Sequence, residues 1–170
     1  MPAHQVADPT PNDTPSALAA ERTAHRAAVA ARPSGGGRPV LVVDSSAIAR
    51  KFLTRRLQAL GYEAHSAETG EQALDMIERG AFAIVFLEFV LAPGGIDGLS
   101  LCRAIKHKTD HRGGLMPAVV VATGRVGASD RVRGSLAGCD AYLTKPLAEA
   151  TFAAALAEVD PLFNNSTRPG

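Results

Sequence analysis

From Pro39 onward, short runs rich in β-branched residues alternate with stretches in which apolar side chains recur at helical spacing. Val40-Leu41-Val42-Val43 reads as a buried strand. The helix expected after it, from about Ser46, carries Ile48, Phe52, Leu53, Leu57 and Leu60 on one face. Arg50, Lys51, Arg55 and Arg56 fall largely on the other, and Gly61 closes it. Tyr62 to Ser66 predicts a second strand, and Thr69 to Arg79 a second helix stopped by Gly80. Phe82 to Leu87 is an uninterrupted apolar run, as a central strand covered on both faces requires. A loop containing Pro93, Gly94 and Gly95 leads to a third helix from Asp97 to about Lys108. Ala118 to Ala122 and Ala141 to Leu143 complete the strands, with helices over Asp130 to Ala137 and Leu147 to Val159.

Five strand–helix units in succession predict an α/β domain with a doubly wound, five-stranded parallel sheet. In such sheets chemistry gathers at the carboxyl ends of the strands, where the winding reverses. Asp44-Ser45 stands at the end of the first strand, Glu88 of the third, Thr123-Gly124 of the fourth and Lys145-Pro146 of the fifth. Singly these are ordinary: an Asp caps the next helix, a Thr suits a strand end and a Lys before Pro is a solvated cation. Together they form a polar cluster that a purely structural sheet edge does not need.

Residues 1–38 have a different texture: Met1, Val6, Leu18 and Val29 are the only larger apolar side chains among five Pro and ten Ala. Such a segment cannot build a core and is expected to be a disordered tail, with a short Ala-rich helix from Ser16 to about Arg32 as the alternative. Pro33 and Ser34-Gly35-Gly36-Gly37 read as a flexible joint. The domain is expected over residues 39–160, with residues 161–170 as a flexible stub.

Overall, 46% of residues are hydrophobic and 21% charged, and the net charge of +1 belongs to residues 1–38, leaving the domain neutral. That balance argues against nucleic acid as a partner. With no apolar run long enough to span a bilayer and no secretory pattern, a cytoplasmic location is expected. Cys102 and Cys139 lack disulfide-scaffold or zinc-finger spacing and read as reduced thiols in the core. His107 and His111 lie in a stretch with Asp110 and Gly113-Gly114 that reads as a loop, so they are not taken as a metal pair. Residues 160–170 offer too little chain for a helix-turn-helix, so a DNA-reading regulator is not expected.

Several stretches resemble the receiver domain of bacterial two-component response regulators, the CheY-like fold of flavodoxin topology. They are Val40 to Asp44 with Arg50, Ala67 to Leu74, Asp97 to Arg103, Asp130 to Gly134 and Ala137 to Pro146. The resemblance covers about Pro39 to Val159. It implies an aspartate at the end of the third strand that a histidine kinase phosphorylates. It also implies Mg²⁺ held by that aspartate, by acids after the first strand and by a carbonyl two residues past the acceptor. Asp44 matches the first acid, Val90 the carbonyl donor, Thr123 and Lys145 the binders of phosphoryl oxygens, and Tyr142 the aromatic that reports the switch.

Two positions depart from the pattern: the acceptor position holds Glu88, and the second acid is replaced by Ser45. A glutamate carboxylate sits roughly 1.5 Å further from its backbone, where Mg²⁺ or the incoming phosphoryl group belongs. Ser45 removes a charge from a site that must dehydrate a hard cation, so Mg²⁺ should bind weakly or not at all to Asp44, Glu88 and Val90. The loop after Glu88 also looks about two residues longer than usual, by its distance to Pro93 and Asp97-Gly98. The expectation is a stand-alone pseudo-receiver, not an enzyme and without a required cofactor. Its partner is expected to be a signalling protein, either a histidine kinase or a downstream effector. Glu88 would imitate phosphoaspartate, and signalling or homodimerisation would use the face of the fourth helix, fifth strand and fifth helix. The alternative is a receiver still phosphorylated in a Mg²⁺-dependent reaction, on Glu88 or Asp44.

Overall fold

The computed structural model describes residues 35–165. The tail and the Ala-rich helix expected within residues 1–34 lie outside them.

Strand β1 (Pro39–Val43) is followed by α1 (Ala47–Ala59), β2 (Glu63–Ala67), α2 (Gly70–Arg79) and β3 (Ile84–Leu87). Then come α3 (Gly98–His107), a short turn of 3₁₀ helix (Arg112–Gly114), β4 (Ala118–Thr123), α4 (Ala128–Ala137), β5 (Ala141–Thr144), α5 (Glu149–Val159) and α6 (Pro161–Asn165). All strand pairs are parallel, in the order β2-β1-β3-β4-β5. The winding therefore reverses between β1 and β3, which opens a crevice at their carboxyl ends.

Alternation along the strands divides the core into two layers. Val40, Val42, Ile84, Phe86 and Val120 pack with Leu53 and Leu57 of α1 and with Phe152 and Leu156 of α5. Leu41, Val43, Val85, Leu87, Val119 and Val121 pack with Ala73 and Ile77 of α2, Leu101 and Ile105 of α3, and Ala137 of α4. Ser46, Thr69 and Asp97 cap α1, α2 and α3 by accepting from the N–H groups of Ala49, Gln72 and Ser100. The helices thus start one residue beyond these predicted starts, as capping side chains require. Cys102 is buried and Cys139 half-buried, both with free thiols.

Two expectations need correction. Ile48 and Phe52, placed on the inward face of α1, are 83% and 56% exposed. The buried stripe runs through Leu53 and Leu57, and Ile48 and Phe52 precede Ala49 and Leu53 by one position, a rotation of about 100° that turns them to the rim of the crevice. The basic face of α1 makes contacts of its own: Arg50 donates to the Asp44 carbonyl at 2.7 Å, while Arg56 donates to the Leu147 carbonyl and lies 4.5 Å over the Phe152 ring. The chain after Asp160 does not begin as a flexible stub, because α6 inserts Phe163, 3% exposed, against Tyr62 in a stacked pair 6.2 Å apart. Tyr62 Oη and Arg38 both donate to Asp160, the first at 2.5 Å, so the first and last strand–helix units close on one buried carboxylate.

Candidate functional site

Asp44 and Glu88 directly follow β1 and β3 at the reversal point, and both are nearly buried, at 6% and 8% exposure. Lys145 follows β5 and bridges them: its Nζ lies 2.7 Å from Asp44 Oδ2 and 3.0 Å from Glu88 Oε2. Thr123, fully buried at the end of β4, donates its hydroxyl to Glu88 Oε1. The Val90 N–H donates to the same oxygen at 3.2 Å, and the Ser46 N–H donates to Asp44 Oδ1 at 2.9 Å. Burial alone would lower the Lys145 pKa, but hydrogen bonds to Asp44 and Glu88 outweigh it and leave the ammonium above its ordinary value.

The loop after Glu88 is pinned at both ends. The Gly98 N–H donates to the Phe89 carbonyl, and Gly98 packs so close to Glu88 that a Cβ there would stand 2.1 Å from the Glu88 carbonyl oxygen. Glu71 accepts from the Ile96 N–H at 2.8 Å and holds the far end down.

Of the residues singled out in the sequence, the structure brings Asp44, Glu88, Thr123 and Lys145 into one hydrogen-bonded group. Ser45 is half-buried beside Asp44 and brings no charge. Val90 joins by its N–H while its side chain is exposed, 52%, on a separate cavity shared with Arg125 and Asp130. Tyr142 stands apart from the carboxylates. Its ring packs edge-on to Phe89 at 5.5 Å, Arg131 lies over it, and its hydroxyl donates to the Arg125 carbonyl at 2.7 Å. Burial first, then the Asp130 charge, raises its pKa. Arg125, which no motif singled out, joins the two groups: its N–H donates to Thr123 Oγ1 and its carbonyl receives the Tyr142 hydroxyl.

Of the residues that the resemblance implies for Mg²⁺, Asp44 and Glu88 are both paired with the Lys145 ammonium, and Ser45 stands in place of the second acid.

The response regulator receiver domain family matches residues 40–157. The chain belongs to that family. Among curated relatives it is 31% identical over 134 residues to the protein named "Probable transcriptional regulator ycf27" of Porphyridium aerugineum, covering 76% of this chain and 52% of that protein. It is 38% identical over 109 residues to the response regulator MprA of a Mycobacterium species (strain KMS), covering 64% of this chain and 44% of that protein. The chain thus spans about half the length of the curated relatives it matches. The chemotaxis protein CheY4 of Vibrio cholerae superposes with a TM-score of 0.63 over 72% of this chain and 98% of its own, at 22% identity, which shows the shared fold. This is a receiver domain of two-component signalling, a family of signal carriers. No helix among the described residues is long and apolar enough to cross a membrane.

Proposed function

We propose that this receiver domain works without phosphorylation at the usual position and acts as a protein-interaction module in which Glu88 stands in for phosphoaspartate. The carrying observation is that Glu88 engages Thr123 with one carboxylate oxygen and Lys145 with the other. Those are the two side chains that the resemblance assigns to phosphoryl oxygens. From Thr123 the chain of hydrogen bonds continues through Arg125 to Tyr142, so the carboxylate is connected to the outer surface of β5. Beside it α4 and the turn before it expose Val126, Val132 and Leu136, at 70%, 57% and 79%. Apolar side chains so exposed on one helix and its lead-in suit contact with a second protein. The partner in this reading is a signalling protein, a kinase or an effector, or a second copy of the chain.

Two measurements test the reading. Incubation with acetyl phosphate and Mg²⁺, read by intact mass, should leave the wild-type mass unchanged; a stoichiometric gain of one phosphoryl group overturns the proposal in favour of a working phosphoacceptor. Hydrogen exchange of α4 and β5 in the wild type, Glu88→Gln and Glu88→Asp should show the wild type best protected, because Gln loses the charge and Asp the reach. Equal protection in all three overturns the mimicry.

A further inference from the structure

A cavity of about 370 Å³ runs from the Asp44–Glu88–Lys145 group toward α1, between that helix, the sheet and the segment after Lys145. It lies on the α1 and α5 side of the sheet, walled by Val42, Phe86, Leu53 and Leu147. Ala49 of α1 and Ala122 of β4 also stand in its wall, and their single methyl groups leave the space unfilled. Ile48 and Phe52, both exposed, stand at its outer rim. The cleft is open to solvent at its rim, and its largely apolar walls offer water few partners. Volume and lining match those of small-molecule sites: a mostly apolar cleft of some hundreds of Å³ with a few polar groups at one end.

The polar end fixes the chemistry of the occupant. Two carboxylates face one ammonium, so the group carries a net negative charge. Lys145 spends two of its N–H donors on Asp44 and Glu88, and both oxygens of Asp44 and Oε2 of Glu88, each engaged once, retain a free lone pair, whereas Glu88 Oε1 is already filled by Thr123 and Val90. A hydrogen-bond donor is therefore welcome at that end, and an anion is repelled.

We infer that this cavity is a binding site for a small, largely apolar molecule ending in a hydrogen-bond-donating head, an alcohol or an amine. The body fills the space against Leu53, Phe86 and Leu147, and the head reaches Asp44 and Glu88. Because the occupant touches Lys145 and the segment that follows it, its binding is an input to the same residues that phosphorylation addresses elsewhere in the family. The inference stands on the cavity and its charge, independently of whether Glu88 imitates phosphoaspartate.

Three probes with one body and different heads test it: phenylbutanol, phenylbutylamine and phenylbutyrate, titrated into the ¹⁵N-labelled full chain and followed by amide resonances. For probes of about a dozen heavy atoms, millimolar dissociation constants are the appropriate scale. The alcohol and the amine should give saturable shifts centred on Ala49, Phe52, Leu53, Ala122 and Leu147, and bind at least about tenfold tighter than the carboxylate. Whichever of the two binds tighter tells whether the head is neutral or cationic. Ala49→Leu, which fills the cavity from the helix side, should weaken both by about tenfold or more while the spectrum stays that of a folded domain. The head-group ranking and the map of shifted amides decide the matter on the wild type alone, should that variant misfold. Absence of saturable shifts with all three probes, equal binding of the carboxylate, or undiminished binding by folded Ala49→Leu overturns the inference. The first of these outcomes assigns the rim of Ile48 and Phe52 to a protein partner instead.

Discussion

The Lys145 ammonium stands between Asp44 and Glu88, 2.7 Å from one carboxylate and 3.0 Å from the other, and among the described residues no second cation lines the crevice there. Lys145→Met therefore leaves two nearly buried carboxylates facing each other unpaired. Removing one partner of a buried charge group costs more than the group itself contributes, because the survivors stay desolvated. With Lys145 about a third exposed, solvent softens the effect. The expected loss is about 2 kcal/mol at neutral pH by urea denaturation. A loss within about 0.5 kcal/mol would mean that Lys145 contributes only its aliphatic stem.

Gly98 is where the loop after Glu88 comes back onto the strand. A methyl group there would stand 2.1 Å from the Glu88 carbonyl oxygen and 2.7 Å from Phe89 Cα, both main-chain atoms that cannot step aside. Gly98→Ala should cost about 2 kcal/mol or more, and it should displace Glu88 from Thr123 and Lys145. Gly124, at the same sheet edge, has nothing within 4 Å of a built Cβ. Gly124→Ala should be neutral or stabilising by up to about 1 kcal/mol, through the unfolded chain. Thermal or urea unfolding of the two variants side by side separates close approach from mere glycine content.

Those two glycines mark how far the residues alone carried the reading. The strands were legible because each is a short β-branched run, and the strand ends announced Asp44, Glu88, Thr123 and Lys145 by position. The departures at Ser45 and Glu88 were legible too, since they are changes of residue type in a matched motif. Arg125 was not, because it serves through its main-chain N–H and C=O, which any residue supplies. Ile48 and Phe52 misled because an apolar residue one position off a buried stripe looks like part of it until the crevice beside it is known. Phe163 was missed for the opposite reason: a single aromatic in a short polar stretch has no periodicity to reveal that Tyr62 awaits it.

Phe163 should accordingly matter for stability far more than its place near the end of the described chain suggests. It is 3% exposed, stacked on Tyr62, and packed into the layer that contains Phe152 and Leu156. Phe163→Ala should cost about 3 kcal/mol, the scale for truncating a buried aromatic. It should also raise hydrogen exchange in α6 and at the end of α5 before any change near Lys145. A loss within about 0.5 kcal/mol would mean that the contact frays in solution and that Asp160 alone holds the two ends together.

Alkaline pH should unfold this domain earlier than its neutral-pH stability implies. Burial first, then the hydrogen bond and charge of Asp160, pushes the Tyr62 phenol far above its ordinary 10.0. Burial first, then the nearby Cys139, pushes the Cys102 thiol up from 9.0 to about 12. For Lys145, burial opposes and the paired carboxylates more than restore protonation, raising it above 10.5. All three groups hold their proton more tightly folded than unfolded, so the folded state binds more protons at high pH. Their contribution is complete below the unfolded values, which begin at 9.0, and it is lost as the pH climbs through the raised folded values. Urea midpoints should stay level up to about pH 9 as far as these groups are concerned and then fall steadily. Tyr62→Phe should flatten part of that fall, because a ring that cannot ionise keeps its stack on Phe163 while losing only the hydrogen bond to Asp160. A tyrosinate absorbance that titrates ahead of unfolding for both Tyr62 and Tyr142 would contradict the burial that drives the effect.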